Sequence, residues 1–302
     1  MPEAVLSLPN VTIGGTGFFY DKAAPLPADA EHAMPDYHLY DEYVRANAGS
    51  KDTKKFRFYT DYSIGFTTRG CIRGCSFCVN QNYHSCSRHS PVQEFVDPDR
   101  KYILLLDDNV LACKDWREIF AELNATGKPF QFKQGLDERL LTEEKCRVLF
   151  SSNWHEDYIF AFDNIADRHV IEDKLQMIRR HTDVVPKFYC FCAYNHEHPG
   201  YYDDAFWVKD VRDLFERIRI LFGYRALPYV MRYRDYERSP YRGMYITLSR
   251  WLNQPSLAKK MTLREFAMAQ GEGKAPMRYL QQFEVAHPDI ASQYYDIRFG
   301  EK

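Results

Sequence analysis

Between Tyr59 and Tyr233 short apolar runs alternate with longer stretches whose apolar residues recur at helical spacing. Strand-length runs fall at Tyr62–Thr68, Lys101–Leu106, Pro129–Lys133, Asp157–Phe162, Lys187–Ala193 and Leu227–Arg232. Helical periodicity falls near Asp115–Ala125, Glu143–Ser151, Val170–His181 and Val208–Phe222. In the last, Val208, Val211, Leu214, Phe215, Ile218, Leu221 and Phe222 make one apolar face. Thr142 is placed to cap the helix that opens on Glu143 and Glu144, whose charges suit the positive end of the helix dipole. Strand, helix, strand in repetition predicts a parallel sheet with helical crossovers, as a doubly wound sheet or a barrel.

Both flanks break that rhythm, so the chain divides into an N-terminal extension (1–58), a βα region (59–235) and a C-terminal extension (236–302). The first flank has one strand candidate, Asn10–Ile13, then Gly14-Gly-Thr-Gly17 and a proline-punctuated loop. The last begins as a polar aromatic loop and continues into a short helix announced by a capping box, Thr262-Leu-Arg-Glu265.

Composition narrows the classes. Of 302 residues, 45% are apolar and 27% charged, which suits a globular chain and opposes disorder. With 40 Lys+Arg against 42 Asp+Glu the formal charge is -2, which removes the simplest argument for a nucleic-acid or membrane-surface partner. No apolar run reaches membrane-spanning length, and Met1–Pro9 lacks the basic and apolar regions of a signal peptide. A cytoplasmic, reducing location is the expectation, in which the 8 Cys are thiols or metal ligands before they are disulfides.

The chemistry concentrates in Gly65-Phe-Thr-Thr-Arg-Gly-Cys71-Ile-Arg-Gly-Cys75-Ser-Phe-Cys78, directly after the first strand of the βα series. Three thiolates at this spacing share one turn-rich loop, and Gly70 and Gly74 are placed to let the backbone fold tightly around a bulky object. Such a set binds an iron–sulfur cluster or zinc. A closed zinc site would recruit a fourth ligand from His84, Cys86 or His89, whereas a cluster on three cysteines leaves one iron open. No second Cys-x2-Cys pair follows, which favours the open cluster.

The motif Cys71-x3-Cys75-x2-Cys78, with Phe77 before the last cysteine, resembles that of the radical S-adenosylmethionine (SAM) enzymes. Phe66-Thr-Thr-Arg-Gly-Cys71 is similar to the branch related to cobalamin-dependent and methylthiolating members. Leu105-Leu-Asp107-Asp108-Asn109, Gln134-Gly-Leu-Asp137-Glu-Arg139 and Phe160-Ala-Phe-Asp163-Asn164 extend the likeness to uncharacterised bacterial and phage proteins, over roughly residues 10–235. The resemblance implies a partial (β/α)6 TIM-like barrel carrying a [4Fe–4S] cluster on Cys71, Cys75 and Cys78, with SAM at the open iron. It further implies a flavodoxin- or ferredoxin-type electron donor. Phe77, Asp107, Asp108, Asn109, Gln134, Asp137 and Asp163 are then the candidate cofactor contacts, Asp107–Asn109 for the SAM amino group and Asp163 for the ribose. Val11–Gly17 resembles the end of a cobalamin-binding domain, but the flank is too short to hold one, so cobalamin is not expected.

The remaining candidates read as structure. Cys190 and Cys192 share a strand face among apolar neighbours, and Cys86, Cys113 and Cys146 have no partner spacing. His196 and His198 suit a solvated loop. Arg232-Tyr-Arg234-Asp-Tyr-Glu-Arg238-Ser-Pro-Tyr-Arg242 could stack bases, although Asp235 and Glu237 offset part of its charge. The expected substrate is a small molecule or a peptide. The alternatives are a zinc-knuckle RNA-binding protein and a radical SAM enzyme that modifies RNA.

Overall fold

The computed structural model describes residues 7–9, 27–51 and 53–301. Asn10–Ile13 and Gly14–Gly17 lie outside the described residues. The chain forms two compact units, Met1–Phe130 and Gln131–Lys302, so the division falls inside the stretch expected to be one βα body.

In the first unit the apolar run at 62–68 splits. Strand β1 is Tyr62–Gly65, and β2, Thr68–Arg69, pairs antiparallel with β3, Ser87–Arg88. This ribbon closes the cysteine loop at its base. Strand β4, Tyr102–Leu105, lies parallel to β1 with Tyr62 opposite Tyr102 and Gly65 opposite Leu105. Gly65 is required there, because a Cβ would stand 2.3 Å from the Phe95 ring. Helix α1, Trp116–Ala125, buries Trp116, Ile119, Phe120 and Leu123. Strand β5, Phe130–Phe132, follows β4 in the sheet order β1-β4-β5.

The second unit carries α2 (Glu143–Ser151), β6 (Ile159–Ala161), α3 (Arg168–His181), β7 (Lys187–Cys192), α4 (Asp204–Gly223) and β8 (Leu227–Arg232). Thr142 caps α2, accepting from Lys145 N at 3.2 Å. Strands β6, β7 and β8 pair in that order and in parallel, with Ile159 opposite Lys187 and Lys187 opposite Leu227. Leu136, beyond β5, adds one parallel bridge to Phe160. Along β7, Phe188, Cys190 and Cys192 are buried while Lys187, Tyr189 and Phe191 are half-exposed, so one sheet face is covered and the other is open.

The fold is therefore mixed α/β with parallel sheets, and the described strands do not close into a barrel. The C-terminal extension was expected to be mostly loop and helix. It is largely helical: α5 (Arg242–Leu252), a turn at Pro255–Ala258, α6 (Leu263–Gln270), α7 (Ala275–Ala286) and α8 (Pro288–Tyr294). Polar residues between Met244, Tyr245, Leu248, Trp251 and Leu252 mask the α5 face in sequence, yet all five are buried. The α6 capping box forms as expected. Asn253 satisfies the edge of β8, accepting from Val230 N at 2.7 Å and donating to Val230 O at 3.1 Å.

Candidate functional site

The cysteine loop leaves β2 through Gly70. Its φ of +90° favours glycine, and a Cβ there would stand 2.4 Å from the Ser85 carbonyl oxygen. Gly74 has open space around it and no such φ, so the expected need for glycine applies only to Gly70. Cys71, Cys75 and Cys78 are reduced and half-exposed, and Phe77 beside them is half-buried. A tight turn brings Cys78 N to Cys75 O at 2.9 Å. Backbone N–H groups point at two sulfurs, Arg73 N at 3.3 Å from Cys71 Sγ and Asn80 N at 3.4 Å from Cys78 Sγ. Asn109 Nδ2 adds a third donor, 3.5 Å from Cys71 Sγ. Donors so placed stabilise negative charge on sulfur.

The residues after β4 hold this loop. Asp107 is buried and its Oδ1 accepts from Thr67 N (3.1 Å), Thr68 N (2.5 Å) and the hydroxyls of Thr67 (2.6 Å) and Thr68 (2.7 Å). Burial raises its carboxyl above the ordinary range, against the hydrogen bonds that favour the ionised form. Asp108 accepts from Asn80 Nδ2 at 2.6 Å and from Gly70 N at 3.4 Å, bracing the chain on both sides of the three cysteines. Thr67 and Thr68 belong to a phrase noted in the sequence and Asn80 does not, but only the fold shows what their short polar side chains meet.

Of the residues weighed as a fourth zinc ligand, His84 is exposed and His89 is engaged with neighbours. His89 lies 3.2 Å from Glu31 and stacks on His32 at 5.1 Å between ring centres. Burial pushes the Cys86 thiol up to about 12. Among the described residues no three His, Cys, Asp or Glu side chains converge as the donors of a single ion do.

The other candidates belong to the second unit. Gln134 is exposed and Asp137 is buried, with Arg139 Nε 2.8 Å from its Oδ1. Asp163 accepts from Phe191 N at 2.9 Å, and burial raises its carboxyl. Glu138, unremarked in sequence, is buried beside them and accepts from Ala161 N at 3.0 Å. Loss of hydration pushes its carboxyl up to about 8, so it stands protonated at neutral pH. Cys190 and Cys192 are buried, as their apolar neighbours predicted.

No family model matches the chain, and neither the curated proteins nor the solved structures contain a significant match. Among the described residues no helix is long and apolar enough to cross a membrane.

Proposed function

We propose that the chain is a radical SAM enzyme with one [4Fe–4S] cluster on Cys71, Cys75 and Cys78, acting by hydrogen abstraction on a substrate not defined by this site. The observation that carries the reading is a three-cysteine loop with N–H donors aimed at Cys71 and Cys78 and with Asp108 bracing both of its ends. When bound and reduced, such a cluster supplies the electron that splits SAM into methionine and a 5′-deoxyadenosyl radical.

The protein's own part is positional and electrostatic. Arg73 N, Asn80 N and Asn109 Nδ2 offset thiolate charge, while Asp107 fixes the strand that delivers the loop. The parallel order of the strands along the chain supports a partial (β/α)6 barrel as the finer fold. The site stands after β1 and β4, at the carboxyl ends where βα folds place ligands. A flavodoxin- or ferredoxin-type donor would supply the electron.

Anaerobic reconstitution tests this reading. Iron and sulfide should appear in equal amounts, with SAM cleavage to 5′-deoxyadenosine under reduction. Cys71→Ala, Cys75→Ala and Cys78→Ala should each abolish that cleavage. One zinc per chain without iron or sulfide, or a Cys71→Ala protein that keeps the cluster and the cleavage, would sink the reading.

A further inference from the structure

A net charge of -2 hides a local cationic surface on the second unit. After β8 the chain makes a short 3-10 turn, Arg234–Arg238, before α5. Arg232, Arg234, Arg238 and Arg242 are all exposed, and none pairs with a carboxylate among the described residues. Three of them lie over tyrosine rings instead: Arg232 over Tyr236 at 4.5 Å, Arg234 over Tyr233 at 5.6 Å and Arg238 over Tyr202 at 5.0 Å. Tyr202 stacks in turn on Trp207, centroids 4.8 Å apart, giving an arginine–tyrosine–tryptophan pile. The two local acids, Asp235 and Glu237, offset part of this charge without pairing directly with an arginine among the described residues. Asp235 accepts from the Tyr202 hydroxyl at 2.8 Å, and Glu237 forms no ion pair among the described residues.

The stacking surface continues onto the open face of the β6–β7–β8 sheet. Tyr229 and Met231 are 36% and 41% exposed there. Tyr189 meets Tyr229 at 5.7 Å and Phe191 meets Tyr233 at 5.7 Å.

From these observations we infer that the Arg232–Arg242 segment, with the adjoining aromatic sheet face, binds single-stranded nucleic acid. Guanidinium groups without carboxylate partners are ready to take phosphates, and their planes, held flat on tyrosines, extend a stack to which an unpaired base adds. An acidic peptide would use the charges but not the rings, and a duplex keeps its bases stacked internally. This binding inference does not rest on the radical SAM reading.

The test is fluorescence anisotropy of the full chain, without cluster, against a labelled 12-nucleotide single-stranded RNA of mixed sequence. With at most four phosphates neutralised, log K should fall with log salt at a slope of about −2.8 or shallower, up to about 50-fold between 50 and 200 mM KCl. Arg234→Ala with Arg238→Ala should weaken binding and reduce the slope by about 1.4. Tyr233→Leu with Tyr236→Leu should weaken binding by about 5- to 150-fold per base lost and leave the slope unchanged, whereas the two Tyr→Phe changes should retain it. The inference is overturned if no binding occurs at 50 mM KCl, if the duplex or polyglutamate binds as tightly, or if the arginine variants bind unchanged. Because 5′-deoxyadenosine formation is measured without RNA, failure of either idea leaves the other standing.

Discussion

Asp108 supports the cysteine loop from its two ends, through Gly70 N and Asn80 Nδ2. Asp108→Ala frees both ends, and cluster affinity should fall about 10- to 100-fold, read as iron retained per chain after desalting. Asp108→Asn keeps an acceptor and should lose less. Glu138 gives a pH-dependent prediction. Folded, its carboxyl ionises at about 8, whereas in the unfolded chain it ionises near the ordinary glutamate value of 4.5. The unfolded chain releases the proton first, so the contribution is full below pH 4.5 and stability declines as pH rises toward 8. The decline is on the order of 4 kcal/mol, and Glu138→Gln should flatten it in denaturant titrations between about pH 5 and 8.5. A variant with the wild-type slope would remove Glu138 as its source.

At the scale of elements, α4 is tied to two strand ends by a single buried cation. Arg217 is 2% exposed and donates through Nη1 to the carbonyls of Phe162 (2.7 Å), Asp163 (3.1 Å) and Phe191 (2.9 Å). It also offsets the carboxyls of Asp163 and Asp210, both half-buried residues, the latter bonded by Ala193 N and the Tyr245 hydroxyl. Arg217→Met would strand three carbonyls and two acids, and should cost about 3–5 kcal/mol in chemical denaturation. Thr262→Ala removes only the α6 cap, costs about 1 kcal/mol and should leave the iron content unchanged. The contrast follows from what each change leaves behind: the cap bonds one helix end, whereas the guanidinium neutralises and satisfies several groups inside the core.

At the scale of the molecule, two compact units predict departure from two-state unfolding. Trp116 reports on the first, and Trp154, Trp207 and Trp251 on the second. In calorimetry the measured enthalpy should exceed the van't Hoff value. Stripping the cluster should lower the transition reported by Trp116, in a protein whose other three tryptophans are replaced by phenylalanine, by several degrees. A single transition that ignores cluster loss would count against both the two units and the cluster assignment.

Periodicity and local spacing were enough to place β4 to β8, α1 to α4, the Thr142 and Thr262 caps and the cysteine loop. These depend on neighbours a few residues away, and their side-chain pattern is written along the chain. What Asp107, Asp108, Glu138 and Arg217 do was decided by tertiary structure, because their partners come from other elements and burial sets their charge. The same applies to the Arg232–Arg242 segment. Its composition was plain in the sequence, but the stacking of three guanidiniums on tyrosines, with no ion pair to a carboxylate among the described residues, exists only once β8, its turn and the start of α4 are packed.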